Sequence, residues 1–356
     1  MRTLCWLTSF LKSGREMTIN KRIMTPKPFS QTKLFLVLVF LSGLASGFIL
    51  PSVRLLNEKN APVFQLNRLY RDSTGHLVNP LMQVEGPAGH DPRLESMKRQ
   101  VQSYVNRQIK KNEVAEVSVY LRNLNQGTWV GINEDERYTA ASLAKVPYLF
   151  ALYLKAQQDP SVLDRQIKYE TPLNIPFIQN TPPQHTLQLG QIYSVEELLK
   201  NMIASSDNLS RELLYKSGLV DSQLAGQIYS DLALPLLDES AEYYISTKEY
   251  AQFFRLLYSA SYLNKDLSEK ALKLLAEVDF KDGIVAGVPK NIVVAHKFGE
   301  RGDGLGGMQL HDCGIAYYPK TPYLICIMTK GWDNGHLKSI LSKIAEIVSS
   351  QAIPSS

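Results

Sequence analysis

Hydrophobic positions recur along this chain with two periods, and the changes from one to the other mark out its elements. Asp91-Pro92 has the form of a helix N-cap followed by a first-turn proline. Leu94, Met97, Val101, Val105 and Ile109 then fall on one side of a predicted helix, with charged residues on the other. Over residues 116–133 the period drops to two. Val117, Val119 and Leu121 alternate with polar residues, and a turn at Gln126-Gly127 leads into Trp129 and Ile132, which predicts a β-hairpin. The stretch YTAASLAKVPYLFALYL (138–154) is apolar on every side beyond Lys145, as expected of a helix buried in a core, and Pro147 is tolerated there only if the helix has just begun.

Mostly helical segments follow to about residue 276, with VEELLKNMIA (195–204) and TKEYAQFFRLLYSA (247–260) the clearest amphipathic ones. Strands return as NIVVAHKF (291–298), QLHDCGIAYYP (309–319) and PYLICIMTKGW (322–332), and the turn Pro319-Lys320-Thr321-Pro322 makes the last two an antiparallel hairpin. The closing run HLKSILSKIAEIVSS (336–350) puts Leu337, Ile340, Leu341, Ile344, Ile347 and Val348 on one face of a helix suited to covering a sheet. The predicted fold class is α/β of the α+β kind: a five-stranded antiparallel sheet covered by N- and C-terminal helices, with an inserted all-helical subdomain.

Composition adds a leader to this picture. The chain has 356 residues, 44% of them apolar, and a net charge of +5. Much of the positive excess lies in residues 1–33, where Arg2, Lys12, Arg15, Lys21, Arg22, Lys27 and Lys33 face only Glu16. The remainder is close to neutral and carries no basic footprint for nucleic acid. An uncharged run, LFLVLVFLSGLASGFIL (34–50), follows and is just long enough to span a bilayer. The expectation is a single-pass anchor in the cytoplasmic membrane through 34–50, with 1–33 as a basic cytoplasmic tail and the remainder outside. A signal peptide cleaved near Ala45-Ser46-Gly47 is the competing reading, which would leave the mature protein secreted or periplasmic. No cysteine adjoins the segment, which excludes a lipoprotein anchor, and Met17 offers a second start. Residues 51–89 read as a linker or stalk and 90–351 as one folded domain, expected to be monomeric.

The cysteines are Cys5, Cys313 and Cys326, too few and too scattered for a metal site. Cys313 and Cys326 lie on the two strands of the last hairpin and, by parity about its turn, on the same face. A disulfide is open to them in an oxidising compartment, but two buried free thiols are the expectation. No metal-ligand cluster, phosphate loop or cofactor motif is present, so the expected chemistry is cofactor-free.

Chemistry enters at Ser142 and Lys145. Three residues apart at the head of the buried helix, they bring an amine within reach of a hydroxyl. A serine hydroxyl needs a neighbouring base to become a nucleophile, and a lysine among Leu143, Val146 and Leu149 loses hydration and with it part of its basicity. Alone, the pair reads better as an N-cap and an ordinary exposed lysine. Two further segments change its weight: Ser206-Asp207-Asn208 after one helix and Lys297-Phe298-Gly299 at the end of a strand.

In order and context the three segments resemble the Ser-x-x-Lys, Ser-Asp-Asn and Lys-Thr-Gly signatures of class A β-lactamases and penicillin-binding proteins, over about residues 91–349. The resemblance implies a β-lactamase/transpeptidase-like fold in which Ser142 attacks an amide or ester carbonyl and becomes acylated, with Lys145 as base. Ser206 would pass a proton to the leaving nitrogen. Asn208 would orient Lys145 and bind the substrate amide, and Lys297 would supply positive charge near the proton path and the substrate carboxylate. The backbone N–H groups of Ser142 and Glu300 would form the oxyanion hole, and Gly299 would let the strand edge come close to the substrate. The implied substrate is a β-lactam or related amide, or a peptidoglycan peptide.

Two departures qualify this. Phe298 replaces a hydroxyl residue, so a hydrogen bond to the substrate carboxylate is lost, for which Arg301 could compensate by bidentate pairing. The loop glutamate that activates the deacylating water has no counterpart in its usual context. Glu239 and Glu242 are stand-ins, although surface charges are the better reading of both. A β-lactamase-type hydrolase with slow deacylation is therefore expected. The alternatives are a D-Ala-D-Ala carboxypeptidase or transpeptidase, and a retired enzyme that only binds.

Overall fold

The computed structural model describes residues 77–79, 91–173, 181–183, 186–220, 222–234, 243–302 and 304–353. Helix α1 (Pro92–Lys110) starts where the sequence says it should. The Asp91 side chain accepts from Arg93 N and Leu94 N, and Pro92 occupies the first turn. Leu94, Met97, Val101 and Val105 are buried. Ile109 is 41% exposed, so the apolar stripe stops one turn earlier than predicted.

Strands β1 (Glu116–Asn123) and β2 (Trp129–Ile132) form the predicted hairpin. Alternation in β1 suggested one wet face, yet Ser118, Tyr120 and Arg122 are buried along with the valines. Both faces of the sheet are covered, and the inward polar groups are hydrogen-bonded: Ser118 Oγ donates to Asn133 O at 2.6 Å. After β3 (Arg137–Thr139), a 3₁₀ turn over Ala141–Ala144 runs into helix α2 (Lys145–Gln158). The inserted region continues with β4 (Gln166–Lys168), β5 (Ile192–Ser194), α3 (Val195–Ala204), α4 (Asn208–Lys216), α5 (Ser222–Asp231), β6 (Tyr244–Ser246), α6 (Thr247–Ser259) and α7 (Lys265–Ala276). Ser194 and Ser246 each form a capping box, with Glu197 and Glu249 respectively. Two three-residue ribbons, β4–β5 and β3–β6, brace the helices.

Three long strands complete the body: β7 (Val294–Gly302), β8 (Met308–Ala316) and β9 (Tyr323–Gly331). The sheet order is β2-β1-β9-β8-β7, antiparallel throughout, so β7 is an edge strand with one free side. It runs four residues beyond the predicted end at Phe298, because pairing with β8 continues to Gly302↔Met308 and holds Gly299, Glu300 and Arg301 in extended backbone. Helix α8 (Asn334–Ala352) buries Leu337, Ile340, Leu341, Ile344 and Val348, while Ile347 is only partly covered. It packs on α1 and on the sheet, whose strands β1, β8 and β9 also meet α6.

Two expectations are overturned here. Cys313 and Cys326 face each other in register across β8 and β9 and form a disulfide, not two free thiols. Strand parity placed both on one face correctly, and direct opposition in the ladder then brings their Cα atoms to 3.9 Å. No helix among the described residues is long and apolar enough to cross a membrane, so the single-pass placement in the cytoplasmic membrane is withdrawn; segment 34–50 itself lies outside the described residues.

Candidate active site

The free edge of β7 meets the 3₁₀ turn that carries Ser142, and Gly299 makes the approach close. A Cβ at 299 would stand 3.1 Å from Ala140 O and from Leu143 N. The glycine thus lets the strand lie close against the Ser142 turn, where a Cβ would force neighbouring atoms to give by a few tenths of an ångström. In that turn Ala141 has φ +48°, a left-handed conformation that costs a residue with a Cβ free energy. Ala140 N donates to Tyr243 O and Leu143 N to Ala140 O, which hold the chain there.

Lys145 begins α2 and is 2% exposed. Its Nζ lies 3.1 Å from Ser142 Oγ, 2.5 Å from Ser206 O, 3.2 Å from Ser206 Oγ and 2.7 Å from Asn208 Oδ1. An ammonium has three hydrogens for these four acceptors. The neutral amine would reverse the bond to Ser142, whose hydroxyl then donates to the nitrogen lone pair.

Ser206 is also left-handed, at φ +54°, and that backbone brings both its carbonyl and its hydroxyl to Lys145. Asp207 caps α4: its carboxylate accepts from Leu209 N, Ser210 N and Ser210 Oγ. Asp207 therefore serves the start of α4, while Asn208, first residue of α4, faces the lysine.

From the strand side Lys297 Nζ donates to Ser206 Oγ at 2.9 Å and to Phe298 O at 3.1 Å. Ser206 Oγ thus lies between two amines, and no water is needed to connect them. Lys145 is held well below its ordinary pKa, first by burial and then by the nearby positive charges of Lys297 and Arg211. Burial lowers Lys297 too, to about 7, against the opposing pull of Asp312, Glu300 and Asp279. Asp207 and Glu300 oppose the lowering at Lys145 without offsetting it, so burial and the neighbouring cations favour the neutral amine there.

The remaining strand residues are placed less directly. Phe298 is buried, stacked on Phe280 with ring centroids 4.5 Å apart, and its ring lies 4.3 Å from Lys297 Nζ. Glu300 accepts from Thr181 N at 2.7 Å and Thr181 Oγ1 at 3.1 Å, a brace from β7 to the helical insertion. Arg301, half-buried, comes two residues after Gly299 on the same strand. Glu239 and Glu242 lie outside the described residues.

Sequence reasoning missed the polar support behind the strand. Asp312, fully buried, accepts from Ile284 N at 2.8 Å and lies 2.7 Å from His296 Nδ1. A carboxylate in the apolar run of β8 was the available signal, since a buried acid must have partners. Among the described residues no group of three or more His, Cys, Asp or Glu could hold a metal ion.

Comparison with known proteins is consistent with this arrangement. A family model described as the beta-lactamase enzyme family matches residues 98–352. No curated protein matches the sequence significantly. Among solved structures, a variant of PBP-A captured as an acyl-enzyme with penicillin G is 18% identical at a TM-score of 0.62, covering 75% of this chain and 98% of that one. A β-lactamase from Chitinophaga pinensis is 19% identical at a TM-score of 0.63, covering 71% and 100%. One from Xanthomonas campestris is 18% identical at 0.60, covering 71% and 98%. At these identities the likeness is one of fold.

Proposed function

The chain belongs to the β-lactamase enzyme family, hydrolases of the β-lactamase type, and on that premise we propose that it forms an acyl-enzyme at Ser142 with a β-lactam or related amide and releases it slowly. The observation that carries the reading is Lys145, a buried amine bonded at once to Ser142 Oγ, Ser206 Oγ and Asn208 Oδ1. Ser142 Oγ attacks the carbonyl carbon as its proton passes to Lys145 Nζ. The resulting oxyanion sits against the backbone N–H groups of Ser142 and Glu300, an arrangement typically worth about 3 kcal/mol per donor. When the C–N bond breaks, the proton on Lys145 travels through Ser206 Oγ to the leaving nitrogen, with the Lys297 charge beside that path. Ser142 is left as an ester.

Hydrolysis of that ester needs a base for water. Among the described residues, the two carboxylates that face Lys145, Asp207 and Glu300, are engaged by the α4 cap and by Thr181. This favours slow deacylation, and with it the second reading, a D-Ala-D-Ala carboxypeptidase or transpeptidase acting on peptidoglycan peptides. The PBP-A variant held as a penicillin G acyl-enzyme supports it by analogy.

A labelled penicillin tests both. Stable labelling of the wild type, absent in Ser142→Ala, supports an acyl-enzyme that persists. Rapid loss of label with product release makes it an efficient β-lactamase. No label in either protein removes the proposal and leaves a binding module.

A further inference from the structure

Pro147 leaves a gap in the hydrogen bonding of the nucleophile's helix. In a continuous helix the carbonyl of Leu143 receives the N–H four residues on, and residue 147 has none. Leu143 is fully buried, so water cannot serve that carbonyl, and within the turn it is reached only by Lys145 N, which is shared with Ser142 O. A second donor comes from across the fold. Tyr250 on α6, also buried, gives its hydroxyl to Leu143 O at 3.1 Å. Its ring is packed by Phe253 and Phe254, with centroids 5.6 and 6.0 Å away.

Leu143 O lies between Ser142 and Lys145, within two residues of the left-handed Ala141. The turn is held from the strand side by Gly299 and at its start by Tyr243 O. Tyr250 is the side-chain donor on its helix side. We propose that Tyr250 is a positioning residue, the replacement donor for the amide that Pro147 lacks, and that its hydroxyl keeps the Ser142–Lys145 turn in the geometry from which Ser142 attacks. Burial pushes the Tyr250 pKa well above its ordinary value, so the hydroxyl remains a donor across the working pH range.

The inference rests on Ser142 being the nucleophile, and the experiment keeps the two separable. Wild type, Tyr250→Phe, Pro147→Ala and the double variant are compared for the rate of acylation by a labelled penicillin and for amide exchange in residues 141–145. Tyr250→Phe is expected to acylate about 10- to 100-fold more slowly at unchanged apparent affinity, with exchange in the turn about 10-fold faster or more. Pro147→Ala alone behaves as wild type. The double variant recovers to within about threefold, because an alanine at 147 supplies the missing N–H.

A Tyr250→Phe protein with wild-type rate and exchange overturns the proposal, as does a double variant as slow as the single. Should Tyr250→Phe fail to fold, the double variant against Pro147→Ala decides: equal rates support the inference, and a folded but slow double variant sinks it. Absence of acylation in the wild type, with the exchange pattern as expected, removes Ser142 as nucleophile and leaves the Tyr250 contact standing.

Discussion

On the helical wall of the site, Ser142, Lys145, Ser206 and Asn208 meet at a single amine through direct hydrogen bonds. On the strand wall only Lys297 joins that group, while Phe298 turns to Phe280 and Glu300 to Thr181. The helical wall holds what acyl transfer needs at the reacting atoms. The strand wall has exchanged a hydroxyl for an aromatic ring that keeps water from its lysine. On the proposed reading the two walls divide the chemistry: the helical wall would make the bond, and the strand wall would hold a substrate carboxylate less well.

The largest effect that would break this division is at Lys145. Replacing it with methionine removes the base and is expected to slow acylation by about 10³-fold, as loss of a positioned general base typically does. A stopped-flow trace with a chromogenic β-lactam reads it, and a loss under tenfold would shift the weight to Lys297. Next comes Gly299→Ala. The added Cβ presses on Ala140 O and Leu143 N, so the turn must yield by a few tenths of an ångström, and a drop of about 10-fold in acylation at little cost in affinity is expected. Wild-type kinetics would show that the two walls can move independently.

The third prediction concerns pH. Lys297 has its pKa lowered to about 7, so its charge is present below that value and lost as pH rises through it. The rate should therefore fall on the alkaline side near pH 7, while its acid side follows deprotonation of Lys145. Asp312→Asn takes away the carboxylate that most favours the charged Lys297 and should move the alkaline limb down by about one pH unit, with the acid limb fixed. An alkaline limb that stays in place, or moves up, contradicts the assignment of that limb to Lys297.

The smallest effect is expected from Phe298→Thr. One restored hydrogen bond to a substrate carboxylate is worth about 1.5 kcal/mol, roughly a tenfold gain in acylation by penicillin relative to a carboxylate-free ester. Loss of the stack on Phe280 lowers Tm at the same time. An unchanged ratio between the two substrates would show that the strand wall does not read a carboxylate.

What could be read from the chain divides by distance along it. Asp91, Ser194 and Ser246 bond to amides two or three residues on, so their caps were open to local reasoning, as was the Ser142–Lys145 spacing. Periodicity located every long strand because one residue of slip would have reversed each apolar face. Long-range partners left no such trace. Nothing near Glu300 announces Thr181, and nothing near Leu143 announces Tyr250. Phe298 stood out in the sequence as a departure from the signature, but its stack on Phe280 joins residues 18 positions apart. The cysteine pair shows the same limit: parity gave the face, and only the register of β8 against β9 gave the bond.

The most direct test is to find where a labelled penicillin attaches. Intact-mass and peptide-level mass spectrometry of the wild type after brief exposure should show one adduct per chain, on the peptide containing Ser142, and none in Ser142→Ala. An adduct on another residue, or one formed equally in Ser142→Ala, would contradict the account.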